Sequence, residues 1–71
     1  MMATRLKDRF KELYERIRKG AYTYEDLDEA IKVGKELIKI HEKEGNLVDN
    51  ILMRIIVKSL ELMKNQKSRR R

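Results

Sequence analysis

His41 is the only histidine in this sequence and the side chain best suited to acid–base chemistry, because an imidazole titrates near neutral pH. A histidine alone does not make a catalytic site, and the chain has no cysteine that could serve as its nucleophile. The hydroxyl groups are those of Thr4, Thr23, Ser59, Ser68 and the tyrosines, and none is spaced to join a nucleophile to a base and an orienting group. We therefore expect a non-enzymatic protein without catalytic residues and without a cofactor.

His41 falls near the middle of the apolar face of a predicted helix. Because buried polar groups are usually paired, we expect its imidazole to be satisfied by a hydrogen bond inside the core or at a contact between two chains. The alternative roles are those of a general base or a pH-sensitive switch at an interface.

Four carboxylates could form an oxygen-ligand site for Mg²⁺, because they share one side of the same predicted helix. They are Glu25, Asp28, Glu29 and Glu36. Carboxylates on an exposed helix face are ordinarily solvated charges, and one histidine without cysteines excludes the usual zinc sites. We therefore expect no metal site.

Two glycines divide the chain into three stretches of helix-forming residues. Gly20 and Gly45 each stand where a helix would end in a left-handed residue, which glycine adopts without a steric penalty. A helix-start pattern follows each of them: Thr23 and Asp26 fit a capping box, and Asn46 is the second cap.

These boundaries predict an all-α fold with three helices, over about 4–19, 23–44 and 46–66. The short connections make neighbouring helices antiparallel, so that a helical hairpin is followed by a third, strongly apolar helix in an up-down-up arrangement. Residues 1–66 form one domain, and residues 67–71 form a basic C-terminal tail. Gly34, the one glycine inside a predicted helix, lies on its apolar face and indicates the close approach of another helix.

The third helix carries apolar residues around well over half of its circumference, whereas the first has a narrow apolar stripe. Two companion helices can hardly cover so much surface, and soluble monomers rarely expose a large apolar patch. We therefore expect a homodimer, assembled as a helical bundle through the third helix. The expected interface residues are Val48, Ile51, Leu52, Ile55, Ile56, Leu60 and Met63. The alternative is a monomer whose third helix crosses between the other two.

The charges alternate in sign along the chain. Residues 1–19 carry seven basic and three acidic groups, residues 20–45 four and seven, and residues 46–71 seven and two, which together give a net charge of +6. An acidic middle helix between two basic ones favours complementary packing.

The excess of positive charge is concentrated at the C-terminus. The candidate nucleic-acid contacts there are Lys64, Lys67, Arg69, Arg70 and Arg71. Terminal cations of this kind could bind the phosphates of DNA or RNA in a salt-dependent manner. A solvated tail that only increases solubility is an equally good explanation.

The first helix is basic on both flanks of its apolar stripe. Arg5, Arg9 and Arg16 lie on one flank, and Lys7, Lys11 and Arg18 lie on the other. Such a helix could lie on an anionic membrane, but its short stripe is better used in the core. We expect no membrane association, since the longest apolar runs fall far below the roughly 20 residues that span a bilayer. Without a signal-peptide core at the start, an intracellular, cytoplasmic location is expected.

Residues 10–38 resemble part of the small subunit of bacterial exonuclease VII. In both, apolar positions precede a glycine, here Gly20, and an acidic amphipathic helix follows with a second glycine fourteen residues later, here Gly34. Asp28, however, stands where that family has an apolar residue, and the chain continues with Gly45 and an apolar helix instead of a polar one. We therefore do not assign the chain to that family.

These features together predict a small helical binding or adaptor protein that acts through a dimeric helical surface. A nucleic-acid-associated regulator that uses the basic tail and the first helix is the first alternative. An accessory subunit of a larger enzyme is the second.

Overall fold

Three helices form the computed structural model, which describes the backbone of residues 2–69 and the side chains of residues 5–66. They are α1 (Met2–Lys19), α2 (Tyr24–Glu44) and α3 (Leu47–Arg69). Residues 2–69 contain no strand, so the predicted all-α class is confirmed. Within this part of the chain α2 packs against both α1 and α3, and these two do not pack closely on each other. The result is an elongated molecule of 41 × 19 × 16 Å with α2 as its shared support.

Both connections between helices begin with the same hydrogen-bonded turn around a left-handed glycine. Gly20 and Gly45 have φ angles of 79° and 72°. The amide of Ala21 donates to the carbonyl of Arg16 at 3.0 Å, and the amide of Asn46 donates to the carbonyl of His41 at 2.9 Å. These bonds close two Schellman motifs and satisfy carbonyls at the helix ends. The predicted helix stops are confirmed.

The start of α2 is the predicted capping box. The Asp26 amide donates to Thr23 Oγ1 at 3.2 Å, and the Thr23 amide donates to Asp26 Oδ2 at 3.1 Å. The start of α3 differs from the prediction, because Asn46 does not cap a backbone amide. Its Nδ2 donates to the carboxylate of Asp49 at 2.7 Å, so its side chain acts as a donor to a neighbouring acid instead.

Two helix boundaries lie outside the predicted ones. The first helix begins at Met2 instead of residue 4, and α3 continues to Arg69 instead of ending near residue 66. Neither segment contains a glycine or proline, and lysine and arginine are good helix formers that also suit a helix C-terminus. Of the tail predicted over 67–71, residues 70 and 71 and the side chains of 67–69 lie outside the described residues.

The core lies where α1 and α3 pack side by side on one face of α2, the face that carries Leu27, Gly34 and Leu37. Its four fully buried side chains are leucines, Leu13 of α1, Leu27 and Leu37 of α2, and Leu60 of α3. Phe10, Ile17 and Val57 complete it from the flanking helices. The predicted apolar face of α1 therefore packs inward as expected.

Gly34 lies at the closest approach of the three helices, as its position in the sequence indicates. A Cβ atom at this position would lie 2.5 Å from Val57 Cγ2 and 3.2 Å from Phe10 Cε1, so side chains of both α3 and α1 fill the space. A glycine inside a helix costs about 1 kcal/mol relative to alanine, and tight packing from both sides offsets that cost.

Ion pairs connect the acidic middle helix to both neighbours, which confirms the expected charge complementarity. From α1, Arg9 donates to both carboxylate oxygens of Glu29 at 2.8 and 2.9 Å. From α3, Lys64 donates to Asp28 at 2.6 Å. Three further pairs between helices are Arg16–Asp26, Lys35–Glu61 and Arg54–Glu42. Every one of these pairs within residues 5–66 includes a residue of α2.

Candidate interaction surface

One side of α3 exposes large apolar side chains to solvent. Val48, Ile51, Ile55 and Leu62, which we call the α3 stripe, are 68%, 57%, 59% and 56% exposed. Their spacing of three, four and seven residues aligns them along one face of the helix. Val57 marks the opposite face, because its side chain contacts α2 at Gly34. Leu47 and Leu52 are also exposed and border the stripe.

The predicted interface residues do not all lie on this exposed face. Val48, Ile51, Leu52 and Ile55 do, whereas Ile56 and Met63 are half-buried. Leu60 is only 2% exposed and belongs to the core of the single chain, so we correct the prediction and remove it from the contact surface. The apolar sector of α3 is broad enough to face both α2 and solvent, and periodicity alone does not divide it.

A groove made of two cavities that share Ile56 lies between α1 and α3, because both helices pack on α2 and not closely on each other. One part of it, of about 380 Å³, has apolar walls from Tyr14 and Ile17 on one side and Ile55, Ile56 and Met63 on the other. A second part, of about 330 Å³, also borders Ile56 and extends toward the start of α1. We call both parts together the α1–α3 groove.

The wall on the α1 side is apolar next to the core and positively charged along its solvent-exposed edge. The Tyr14 ring stacks on the Phe10 ring with centroids 6.0 Å apart, which supports this wall from the core. Lys7 and Arg18 line the groove, and the exposed Lys11 lies between them on the same flank. These three cations form no ion pair among the described residues, whereas Arg9 and Arg16 on the other flank are paired.

The second part of the groove lies beside His41, together with Lys7, Asp49, Leu52 and Met53. The imidazole is 3% exposed, and neither Nδ1 nor Nε2 has a hydrogen-bond partner. The expected hydrogen bond inside the core is therefore absent from the described part of the chain. Leaving a buried polar atom without a hydrogen bond costs about 1–3 kcal/mol. A ligand group that formed a hydrogen bond with either imidazole nitrogen would remove part of that cost.

Two of the four carboxylates considered as metal ligands are paired with lysine or arginine side chains, and the other two are exposed to solvent. Lys64, helped by Lys32, lowers the pKa of Asp28, and Arg9 lowers the pKa of Glu29. Glu25 and Glu36 are exposed. Within the described residues no group of three or more potential metal ligands occurs.

Lys64, one of the predicted phosphate contacts, forms an ion pair with a carboxylate of α2. Its ammonium is held by Asp28, which raises the pKa of Lys64, and it lies 5.6 Å from the centre of the Tyr24 ring. Lys64 lies inside α3, as the predicted helix over 46–66 implies, and its side chain is placed against α2. The other predicted contacts, Lys67, Arg69, Arg70 and Arg71, have side chains outside the described residues.

The fold and this surface define a small all-α protein of three helices with an apolar face and a basic groove. No described helix is both long and apolar enough to cross a membrane. No protein-family model matches the chain, and neither curated proteins nor solved structures show a significant match.

Proposed function

We propose that this chain is a non-enzymatic binding protein that dimerises through the α3 stripe and presents a rigid helical surface to a partner. The observation that carries the proposal is the exposure of Val48, Ile51, Ile55 and Leu62, each more than half open to solvent. Contiguous apolar patches of this kind usually mark interaction sites in soluble proteins. Burying the exposed part of each such side chain contributes about 1 kcal/mol or more.

The spacing of the stripe supports an antiparallel pair of α3 helices. Val48 and Leu62 stand seven residues before and after Ile55, so a twofold axis at Ile55 would bring each valine opposite a leucine of the second copy. A parallel pair would instead set Lys58, next to the stripe, beside the Lys58 of the other chain. Repulsion between these like charges favours the antiparallel arrangement.

Cysteine cross-linking tests this arrangement cleanly, because the natural chain contains no cysteine. Under mild oxidation, Ile55→Cys should form a disulfide-linked dimer, since a disulfide needs Cα atoms within about 7 Å. Val48→Cys alone should remain monomeric on a denaturing gel, whereas a mixture of Val48→Cys and Leu62→Cys should form a linked heterodimer. Lys39→Cys, on a side chain that is 74% exposed on α2, is the control for random collision.

The outcomes separate the two parts of the proposal. Linkage of Val48→Cys to itself, without linkage in the mixture, would overturn the antiparallel register. Cross-linking of Ile55→Cys no faster than that of the Lys39→Cys control would overturn the dimer.

A nucleic-acid-associated regulator is the second candidate, favoured by the net charge of +6 and by Lys7, Lys11 and Arg18, which pair with no acid in the part of the chain that the structure describes. Phosphate contacts release counterions, so binding to a DNA or RNA duplex should be strong at low salt and collapse as salt rises. An electrophoretic shift assay at two salt concentrations tests this, and deletion of residues 67–71 should weaken any shift while removing only the last three residues of α3 from the helical content. No shift at low salt would exclude this candidate.

A further inference from the structure

The α1–α3 groove has the shape of a docking site for one more helix. Its two walls are themselves helices, and its base is the shared core on α2. Its central surface is apolar, formed by Tyr14, Ile17, Ile56 and Met63. An amphipathic helix binds such a groove by inserting apolar side chains spaced three, four and seven residues apart.

The charges beside the groove select the kind of helix that fits. Lys7, Lys11 and Arg18 follow one another at four and seven residues along α1, and none is neutralised by a described carboxylate. Asp49, the one acid among the described residues that line the groove, already accepts a hydrogen bond from Asn46. These three cations form a positively charged rim along α1. The rim favours a docked helix that carries carboxylates on the edge facing α1.

His41 supplies a second, independent indication of a ligand. It lines the groove at the Lys7 end, and its two ring nitrogens have no hydrogen-bond partner among the described residues. Both nitrogens are shielded from water, so a ligand reaches one only after a neighbouring side chain moves. Met53 lines the same part of the groove and is half-buried, and an unbranched thioether side chain adapts easily.

A second copy of this chain does not match these requirements. Its exposed α3 carries Lys58 beside the α3 stripe, and this cation would approach Lys7, Lys11 and Arg18 as a like charge, whereas the nearby Arg54 is paired with Glu42. The α3 stripe and the groove share only their border at Ile55, so a dimer through the stripe leaves most of the groove open.

We propose that the α1–α3 groove binds an amphipathic helix of another protein that carries carboxylates along one edge, one of which hydrogen-bonds to His41 beside Lys7. This inference rests on the proposed function of a binding protein and names the chemistry of its partner. It does not depend on dimerisation.

Two synthetic peptides of identical composition test the proposal. The first is a fluorescein-labelled helix of about 18 residues with leucines on one face and glutamates along one edge, spaced by four and seven residues. The second moves the same glutamates to the side opposite the leucines. By fluorescence anisotropy in low salt, the first should bind about tenfold more tightly, because three exposed ion pairs each add a few-fold at most. Equal affinities, or no binding of either peptide, would overturn the proposal.

Single charge reversals locate the contact. Lys11→Glu should weaken binding of the edge-glutamate peptide several-fold, because it turns an attraction into a repulsion. Lys43→Glu, an equal change at another exposed lysine that lies away from the groove and pairs with no described acid, should leave it unchanged. Equal losses in both variants would mean that only the net charge matters, and would overturn the site. A DNA duplex that competes as well as the peptide would assign the rim to phosphate binding and likewise overturn it.

His41→Leu separates a binding role from a structural one. Removing two unpaired buried nitrogens should raise the urea midpoint of unfolding, yet the same change should weaken binding of the edge-glutamate peptide by about tenfold. Unchanged affinity would remove His41 from the site. Sedimentation of the same samples without peptide reports dimerisation separately, so loss of peptide binding with the dimer intact contradicts the groove alone.

Discussion

Replacing Gly34 by alanine tests the packing of the three helices more directly than any other single change. The new Cβ would lie 2.5 Å from Val57 Cγ2, a separation that forces something to move, and 3.2 Å from Phe10 Cε1. Val57 is 4% exposed and β-branched, so its side chain cannot easily turn away. The gain in helix propensity is about 1 kcal/mol, whereas overpacking costs about 1–3 kcal/mol or more. We expect a net loss of up to about 2 kcal/mol in the free energy of unfolding.

The assay is urea unfolding followed by circular dichroism at one fixed protein concentration, since association makes apparent stability depend on concentration. Val57→Ala removes the methyl group that clashes, so in the Gly34→Ala background it should cost much less than in the natural chain. We expect a coupling energy of at least about 1 kcal/mol between the two sites. Gly45→Ala is the matched control. It should also destabilise the protein, because φ at this position is 72°, but nothing lies within 4 Å of the added Cβ. Its effect should therefore not couple to Val57→Ala. Additive effects of Gly34→Ala and Val57→Ala would refute the proposed close approach.

Two further predictions concern polar contacts. Thr23→Ala should lower the free energy of unfolding by about 1 kcal/mol through loss of the α2 cap, and an unchanged urea midpoint would contradict the role of the capping box. The carboxyl groups of Asp28 and Glu29 have pKa values lowered below their ordinary 3.8 and 4.5 in the folded state. Their contribution to stability is therefore complete above those ordinary values and is lost as pH falls through the folded pKa values. The urea midpoint of the natural chain should fall as the pH is lowered from 6 to 2. The fall should be less steep at high salt and in the Asp28→Asn variant. Identical pH profiles for the natural chain and Asp28→Asn would contradict the assignment.

Local signals predicted the helices well because each depends on a few adjacent residues. Gly20, Gly45 and the Thr23 capping box stop and start helices through bonds within one turn, and the structure contains all of them. The opposite net charges of α2 and its two neighbours were also visible in the sequence, because acidic residues predominate in one whole helix and basic residues in the other two.

The candidate site was less predictable because it depends on how the three helices pack against one another. Periodicity placed Leu60 in the same broad apolar sector as Ile55, and only the direction of α2 separates a core residue from an exposed one. His41 was correctly placed on the apolar face, but its lack of a partner follows from the three helices together. The groove arises because α1 and α3 both pack on α2, an arrangement that no local pattern encodes.

Sedimentation equilibrium tests the central claim that the exposed side of α3 brings two chains together. At micromolar concentration the natural chain should sediment with twice the 8.6 kDa mass of one chain. Ile55→Asp should sediment as a single chain with unchanged helicity, because its side chain is 59% exposed in the monomer and a carboxylate there opposes burial against a second copy. A natural chain that keeps the mass of one copy at every concentration would contradict the account.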